Sequence, residues 1–309
     1  MPLTKTEQVP SQPLAPQDLE AGRSLWKDAW YRLLKNKLAI TCLVIFAVIV
    51  GLCIFGPVVS STDDTAQNLE LGAQGPSAEH WMGTDTLGRD QMVRILKGGR
   101  VSLAVGLVAT LVSIIIGVSY GAAAAYIGGR VDAAMMRFVD ILYALPFIVF
   151  VVLLTVVLDP FLDTPEKKMI LLFAAIGAVE WLTMARIVRA QVLSLKKQEF
   201  IEAAHALGLS TPRIIFRHLV PNVLGPVIVY GTLTVPAIML FEAVLSFIGL
   251  GTQPPAASWG VLIQEGANNM ETAPWMLLYP SIFFAAALFS LNAVGDGLRD
   301  ALDVRSSKD

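Results

Sequence analysis

Six long apolar blocks, separated by charged stretches, constrain the fold of this 309-residue chain more than any other feature. The first block holds 22 residues without a charge. As a helix it would span about 33 Å, enough to cross the hydrocarbon core of a bilayer. Backbone N–H and C=O groups in lipid need hydrogen-bond partners within the protein, so only helices or closed β-barrels can span the bilayer. The sequence has no ten-residue segments of alternating apolar and polar residues, which a barrel would require. The sequence therefore predicts an all-α integral membrane protein with six transmembrane helices, at 38–59, 101–127, 141–157, 169–189, 222–250 and 272–295.

The distribution of Lys and Arg predicts the orientation of these helices. Of the 23 basic residues, 17 lie in the two terminal segments and in every second loop between the predicted spans, which share one side of the membrane. The loop at 249–275, on the other side, has none. Because positive residues accumulate on the cytoplasmic side, both termini are predicted to be cytoplasmic. The resulting division is a cytoplasmic tail, a first transmembrane helix, a periplasmic segment, a five-helix core and a second cytoplasmic tail, at 1–37, 38–59, 60–100, 101–298 and 299–309.

Motifs for enzyme chemistry are absent from the sequence or poorly placed. No P-loop or H-E-x-x-H motif occurs, and the three histidines fall on opposite sides of the predicted membrane, which argues against a metal site. Gly117, Ser119 and Gly121 match G-x-S-x-G, but no histidine lies in any span, so close helix packing through the two glycines explains the match better. The net charge of -2 gives no reason to expect a nucleic-acid partner. The sequence thus predicts neither an enzyme nor a resident metal or cofactor.

Two carboxylates, Glu180 and Glu242, lie inside predicted spans. A charge in the bilayer core is costly unless it is paired or hydrated, so each is a candidate for lining an aqueous translocation path. A structural hydrogen bond to another helix or subunit is the alternative for both. Pro146, Pro226 and Pro236 also fall within spans, where each favours a kink that serves either shape or gating.

The segment EFIEAAHALGLSTPRIIFRHLVPN, at 199–222, is a charged interruption between two apolar blocks. Its first part predicts a helix over 199–207, in which Glu199 and Glu202 suit the positive N-terminal end. Gly208 then fits the C′ position, where a left-handed backbone costs glycine little.

A second short helix is predicted after this turn, over 213–219. Ser210 or Thr211 can cap it, with Pro212 near its first position, and Pro221 precedes the fifth span. Physical argument alone leaves two roles open for the helix pair: an amphipathic element at the membrane surface, or a helix laid into the groove of a partner.

The spacing Glu202-Ala203-Ala204-x3-Gly208, followed nine residues later by HLVP at 218–221, resembles the EAA loop of ABC importer permeases. The usual pattern there is EAA-x3-G-x9-I-x-L-P; His and Val replace Ile and Leu here, in a form familiar from the peptide-permease branch. Further similar stretches are GTDTLGRD at 83–90, LSFIGLG at 245–251 and GDGLRDALD at 295–303. From about residue 23 to 303 the chain is similar to the inner-membrane permeases of oligopeptide and dipeptide importers, most of all to the oligopeptide permeases of the C type.

This resemblance implies a type I ABC importer permease fold with cytoplasmic coupling helices. In the family, the EAA loop, here at 199–221, docks into a groove of a cytoplasmic ATPase and transmits its closure to the spans. ATP and Mg would be held by two cytoplasmic ABC ATPase subunits, and this chain would hold no cofactor. The residues that the resemblance assigns to the coupling contact are Glu199, Glu202, Ala203, Ala204, Leu207, Gly208, Pro212, Arg213 and Pro221.

The same resemblance implies the remaining partners and the location. A second homologous permease subunit would complete the pore, and a periplasmic peptide-binding protein would deliver peptide, all at the bacterial inner membrane and its lipid bilayer. A permease for dipeptides or another solute is one alternative. A secondary transporter is another, although no inverted repeat is recognisable in the sequence.

An outer segment, 83–97, is predicted to form a helix with Thr84 or Asp85 as its N-cap. Asp85, Arg89 and Asp90 are the candidates for docking the binding protein on that face. The alternative is that these charges only cap and brace the segment.

Overall fold

The computed structural model describes residues 25–59, 67–252 and 256–302, and the regular structure within these ranges is helical apart from one isolated bridge between Thr84 and Asp90. Parts of the predicted tails and of the predicted periplasmic segment, at 1–24, 60–66 and 303–309, lie outside the described residues. In chain order the α-helices are α1 (Leu25–Lys35), α2 (Lys37–Val59), α3 (Gln91–Ile127), α4 (Gly129–Tyr143), α5 (Phe147–Leu158), α6 (Pro165–Leu195), α7 (Glu199–Ala206), α8 (Thr211–Ile214), α9 (Val220–Phe247), α10 (Trp259–Asn268) and α11 (Trp275–Leu302). A 3-10 turn (Asp159–Phe161) follows α5, and a π turn (Ile215–Leu219) joins α8 to α9.

Within the described ranges, five helical stretches are long and apolar enough to cross a membrane: α2, α3, α6, the continuous run from α8 to α9, and α11. The predicted span at 141–157 is not one straight helix, because α4 ends at Tyr143 and α5 starts at Phe147, with their axes bent by 83°. Pro146 has no N–H and disfavours the helical conformation of Leu145, so the kink expected there is a complete break. The all-helical membrane fold is confirmed, with six spans if the bent pair counts as one.

Helix α3 begins later than the sequence predicts and is longer. It starts at Gln91, and the side chain of Asp90 caps it by accepting a 3.0 Å hydrogen bond from Val93 N. The expectation that Thr84 or Asp85 is the N-cap is wrong, because both precede the helix in an irregular segment. From Gln91 the helix runs without a break for 37 residues, through the whole of the second apolar block.

Close backbone approach joins α3 to α6. A Cβ atom added at Gly121 would lie 2.3 Å from the carbonyl oxygen of Ala185, and one at Gly117 would lie 2.6 Å from Cβ of Met184. Only glycine leaves room for this approach, as the G-x-x-x-G spacing predicts. The two helices therefore form the central pair of the bundle.

Helix α10 is wedged between the N-terminal ends of α3 and α11 and the C-terminal end of α9. Its Trp259 is fully buried, donates a 2.9 Å hydrogen bond from Nε1 to the carbonyl of Ile95, and meets the Phe284 ring edge-on at 6.1 Å. Gly99 of α3 makes space for this indole, since a Cβ there would lie 2.6 Å from it. The connection between α9 and α11 is thus a packed part of the bundle.

An arginine of α3 compensates for a proline in α2. Pro57 has no N–H to donate to the carbonyl of Cys53 four residues earlier. Arg100 donates to that carbonyl from Nε at 2.6 Å and to the carbonyl of Ile54 at 2.5 Å. Buried carbonyls need such partners within a membrane, so Arg100 allows α2 to continue past Cys53 to its end.

Candidate functional site

The charged interruption folds into two short helices around a glycine turn. The amide of Leu209 donates to the carbonyl of Ala204, and the amide of Gly208 to that of His205, at 3.2 and 2.9 Å. Gly208 has φ +70°. This pair of hydrogen bonds around a left-handed residue is the Schellman motif, so Gly208 ends α7 as the sequence predicts.

The second half of the interruption differs from the prediction. The helix expected over 213–219 is not separate, because α8, the π turn and α9 form one continuous rod from Thr211 to Phe247. Pro221 lies inside this rod near the start of α9, rather than before a new span. A proline ring clashes with the carbonyl four residues earlier, and a wider π turn over the preceding residues relieves such a clash. Ser210 holds the N-cap position of α8, but its side chain accepts no capping hydrogen bond.

Buried apolar side chains seat α7 and α8 on the ends of α3 and α6. Ile201 of α7 and Ile214 of α8 are fully buried. Both belong to one apolar cluster with Val188 and Val192 of α6 and with Tyr126 of α3. The inner side of the helix pair is therefore fixed to the bundle by burial of apolar surface.

Tyr126 joins α3 to both sides of the turn that leads into α7. Its ring stacks on that of His205 with centroids 5.8 Å apart, and its hydroxyl lies 3.2 Å from Nε2 of His205. Lys196, just after α6, donates from Nζ to the carbonyl of Tyr126 at 2.6 Å, where a cation suits the C-terminal end of a helix. A displacement of α7 therefore acts on α3 as well as on α6.

The outward side of this helix pair is exposed and partly apolar. We call it the α7–α8 face. Leu207 is 79% exposed, and Phe200 and Phe216 are also exposed. Of the nine residues predicted for coupling, Ala204 is buried within the chain at 3% exposure and the other eight are exposed. The two phenylalanines were missed by sequence reasoning, although both lie within the predicted EAA loop at 199–221. The face consists of Glu199, Phe200, Glu202, Ala203, Leu207, Gly208, Pro212, Arg213, Phe216 and Pro221.

Glu242 is enclosed by hydroxyl groups at the end of the bundle where α10 packs. It is fully buried, and its carboxylate oxygens accept hydrogen bonds from Ser246 at 2.6 Å and Ser102 at 3.4 Å. Ser102 in turn accepts from the amide of Trp259 at 3.1 Å, and Ser246 lies 3.3 Å from the N-cap Ser258 of α10. This network ties α3, α9 and α10 together, which favours the structural alternative for Glu242.

Glu180 has different surroundings. It stands at the midpoint of the 31-residue α6 and is only partly buried. The translocation-path role expected for Glu180 stays a prediction.

Two ion pairs, which sequence reasoning missed, fasten α4 to the C-terminal half of α6. Arg189 binds Asp132 through Nε and a terminal nitrogen, at 2.6 and 2.7 Å. Arg186 binds Asp140 at 2.8 Å and lies 4.2 Å above the Tyr143 ring. Arg186 and Arg189 stand at the end of the predicted span at 169–189. Charged residues at such positions usually pair with a residue of opposite charge, so the two arginines were a signal for acidic partners.

The residues predicted to dock the binding protein are engaged inside the chain. Asp85 is 1% exposed and accepts hydrogen bonds from Arg89 Nε at 2.6 Å and from Arg94 at 2.8 Å. Arg94 also forms a two-bond pair with Glu265 of α10, at 2.7 and 3.0 Å. Asp90 caps α3 and lies 2.8 Å from Nδ1 of His80. These contacts favour the bracing alternative over direct docking.

No group of three His, Cys, Asp or Glu side chains lies close enough to hold a metal ion among the residues that the structure describes. A bundle of membrane spans with an exposed helix pair inserted on one side does not by itself specify a function, because one fold hosts many functions. Similarity to known families specifies the class.

A family profile described as "Binding-protein-dependent transport system inner membrane component" matches residues 109–308, and one described as "N-terminal TM domain of oligopeptide transport permease C" matches residues 24–76. The chain belongs to the family of binding-protein-dependent inner-membrane transport components, and it is the non-catalytic, multi-pass permease subunit of such an ABC importer. Transporters of this kind combine an ATPase, a binding protein and a partner permease.

Its relatives include oligopeptide and dipeptide permeases. The chain is 49% identical over 284 residues to the "Oligopeptide transport system permease protein OppC" of Escherichia coli (strain K12), covering 91% of this chain and 92% of the relative. It is 44% identical over 285 residues to the protein of the same description from Bacillus subtilis (strain 168), covering 92% and 91%. It is also 44% identical over 281 residues to the "Dipeptide transport system permease protein DppC" of that strain, covering 91% and 86%.

Proposed function

We propose that this chain forms half of a translocation pathway for oligopeptides and that the α7–α8 face couples it to a cytoplasmic ATPase. The observation that carries the coupling role is an exposed, partly apolar helix pair whose buried side is fixed to α3 and α6. Such a face suits the groove of a partner, because apolar side chains held outward on a rigid base lose little entropy on docking. The opposite, buried side provides the path by which a push reaches the spans.

The proposed assembly follows the resemblance of the sequence. A second, homologous permease completes the pore, two ABC ATPases bind ATP and Mg on the cytoplasmic side, and a periplasmic peptide-binding protein delivers the peptide. Both termini are cytoplasmic by the distribution of basic residues. The internal pairing of Asp85, Arg89 and Asp90 makes them a brace for the outer face in this proposal.

Substitutions at Gly208 test the coupling role. Its φ of +70° suits glycine, and no atom lies within 4 Å of an added Cβ, so a side chain here would meet the partner rather than this chain. Gly208→Trp is expected to leave the chain inserted and assembled but to lower the peptide transported per ATP hydrolysed. Gly208→Ala adds backbone strain of about 1–2 kcal/mol without bulk, and Gly208→Asn is the control because Asn tolerates this conformation.

The measurement is peptide uptake and ATP hydrolysis by the complete importer in proteoliposomes. Coupling intact in Gly208→Asn and lost in Gly208→Trp supports docking at this turn. Normal uptake per ATP in Gly208→Trp would refute it.

A dipeptide permease is the second candidate, since the identities to the oligopeptide and dipeptide permeases of Bacillus subtilis are both 44%. Uptake of radiolabelled di-, tri- and pentapeptides by the importer with its own binding protein separates the two. Transport confined to dipeptides would replace the oligopeptide proposal and leave the coupling proposal standing.

A further inference from the structure

Helix α1 has a second apolar face, on the side opposite its contact with the bundle. Ala29 and Leu33 are buried and cluster with apolar side chains at the C-terminal end of α11. Trp30, Tyr31 and Leu34 are instead about half exposed. At 3.6 residues per turn these three side chains share an arc of about 100° on the far side of the helix. The packing of the chain therefore leaves large apolar groups of α1 uncovered.

The position of α1 places this open face at the edge of the bilayer. Only Asn36 separates Lys35, the last residue of α1, from Lys37, the first residue of the membrane-spanning α2. The side chain of Asn36 accepts a 3.1 Å hydrogen bond from the amide of Ala39, and a Cβ added at Gly297 of α11 would lie 3.5 Å from its Nδ2. The junction between the two helices is thus held against α11, and α1 stays where the span begins.

Lysines lie on the same face as the exposed aromatic residues. Lys27 and Lys35 are both exposed, and each stands four residues from Tyr31, so they are its neighbours one turn away on either side. Within the described ranges 25–59, 67–252 and 256–302, neither lysine has an acidic partner. The segment 25–37 holds four basic residues and one acidic residue. Aromatic rings beside lysines are typical of helices that lie among lipid headgroups.

We propose that α1 binds the phosphate of an anionic lipid headgroup through Lys27 and Lys35, while Trp30, Tyr31 and Leu34 enter the boundary between headgroups and acyl chains. A lipid suits this face because it adjoins the first residue of a span and its net positive charge is attracted to an anionic leaflet. The site anchors the joint of α2 and α11 to that leaflet. It goes beyond the transport function and does not depend on which solute is carried.

Fluorescence quenching by brominated lipids tests the site in the complete importer, reconstituted in phosphatidylcholine nanodiscs. Leu34→Cys provides a position on the open face for a bimane label, and the two native cysteines, Cys42 and Cys53, are buried. Brominated phosphatidylglycerol or brominated phosphatidylcholine then replaces a rising fraction of the lipid. One lysine near an anionic surface strengthens binding about fivefold. Half-maximal quenching should therefore need a fraction of the brominated anionic lipid at least about fivefold lower than that of the zwitterionic one.

Substitution of the lysines isolates their charge. Lys27→Gln combined with Lys35→Gln should bring the two quenching curves together, and either substitution alone should remove part of the preference, so the test does not depend on assembly of the double variant. Lys27→Arg combined with Lys35→Arg should keep the curves apart. Lys167→Gln, which removes an exposed lysine near the start of α6, is the matched control and should keep the full preference.

Three results would overturn the proposal. Equal quenching by both lipids when the lysines are intact would place the face at the membrane without recognition of a headgroup. Absence of quenching by either lipid would mean that another protein covers the face. A full preference in the double Gln variant would show that other cations bind the phosphate.

Discussion

Replacing Gly121 by Ala tests the close approach of α3 and α6, on which the bundle depends. The new Cβ would lie 2.3 Å from the Ala185 carbonyl oxygen and 3.0 Å from the carbonyl carbon and Cα of the same residue. Carbon–oxygen contacts settle at about 3.3–3.6 Å, so the helices would have to separate by about 1 Å at this point. Overpacking costs about 1–3 kcal/mol, and backbone atoms cannot turn aside, which favours the upper end.

The better helix propensity of Ala returns about 1 kcal/mol, so the net destabilisation is expected to be about 2 kcal/mol. Gly51→Ala in α2 is the control, because no atom lies within 4 Å of its added Cβ and only the propensity changes. The assay heats the purified importer in detergent and follows the fraction of this chain that stays monodisperse on gel filtration. The midpoint for Gly121→Ala should fall about 4–8 °C below that of the unsubstituted importer, whereas the midpoint for Gly51→Ala should not fall. Equal midpoints would show that α3 and α6 do not approach this closely.

Of three further predictions, two concern compensating pairs and one concerns the π turn. Arg100→Met is expected to lower the thermal midpoint of the importer, because the carbonyl that Pro57 leaves free loses its donor, and adding Pro57→Ala should restore much of the loss. Pro221→Ala should let the π turn revert to regular helix and thereby rotate α8 against α9. The amount of peptide transported per ATP in proteoliposomes should then fall, while membrane insertion of the chain is unaffected. An unchanged ratio of peptide to ATP would argue that the turn is tolerated rather than used. Asp132→Arg should lower peptide uptake, and the double variant Asp132→Arg with Arg189→Asp should recover it. Failure of the double variant to recover uptake would mean that the pair acts by more than mutual attraction.

Local signals in the sequence predict the spans and the glycine turn. Blocks without charge locate the spans, because the length of a helix in lipid is fixed by the bilayer. Gly208 is identifiable as a left-handed C′ residue because it follows an amphipathic helical turn and precedes Ser and Pro. Pro146 predicts a kink where the structure has a full break, since propensity does not give the size of a bend when neighbouring helices decide it.

Contacts between residues distant in sequence account for what was missed. Arg94 and Glu265 are 171 positions apart, and only the packing of α10 against α3 brings them together. The internal role of Glu242 likewise depends on Ser102, 140 positions earlier. The continuous rod through Pro221 was missed for a local reason: proline usually begins a helix, and its accommodation by a π turn leaves no mark in the sequence.

The unbroken length of α6 and its extended contact with α3 have a mechanical consequence. The contact runs from Ala175, clustered with Ala109, to Val192, clustered with Tyr126. Close-packed side chains transmit a displacement rather than absorb it. A shift of α6 at Leu195, shortly before α7, would therefore carry α3 with it as one rigid unit.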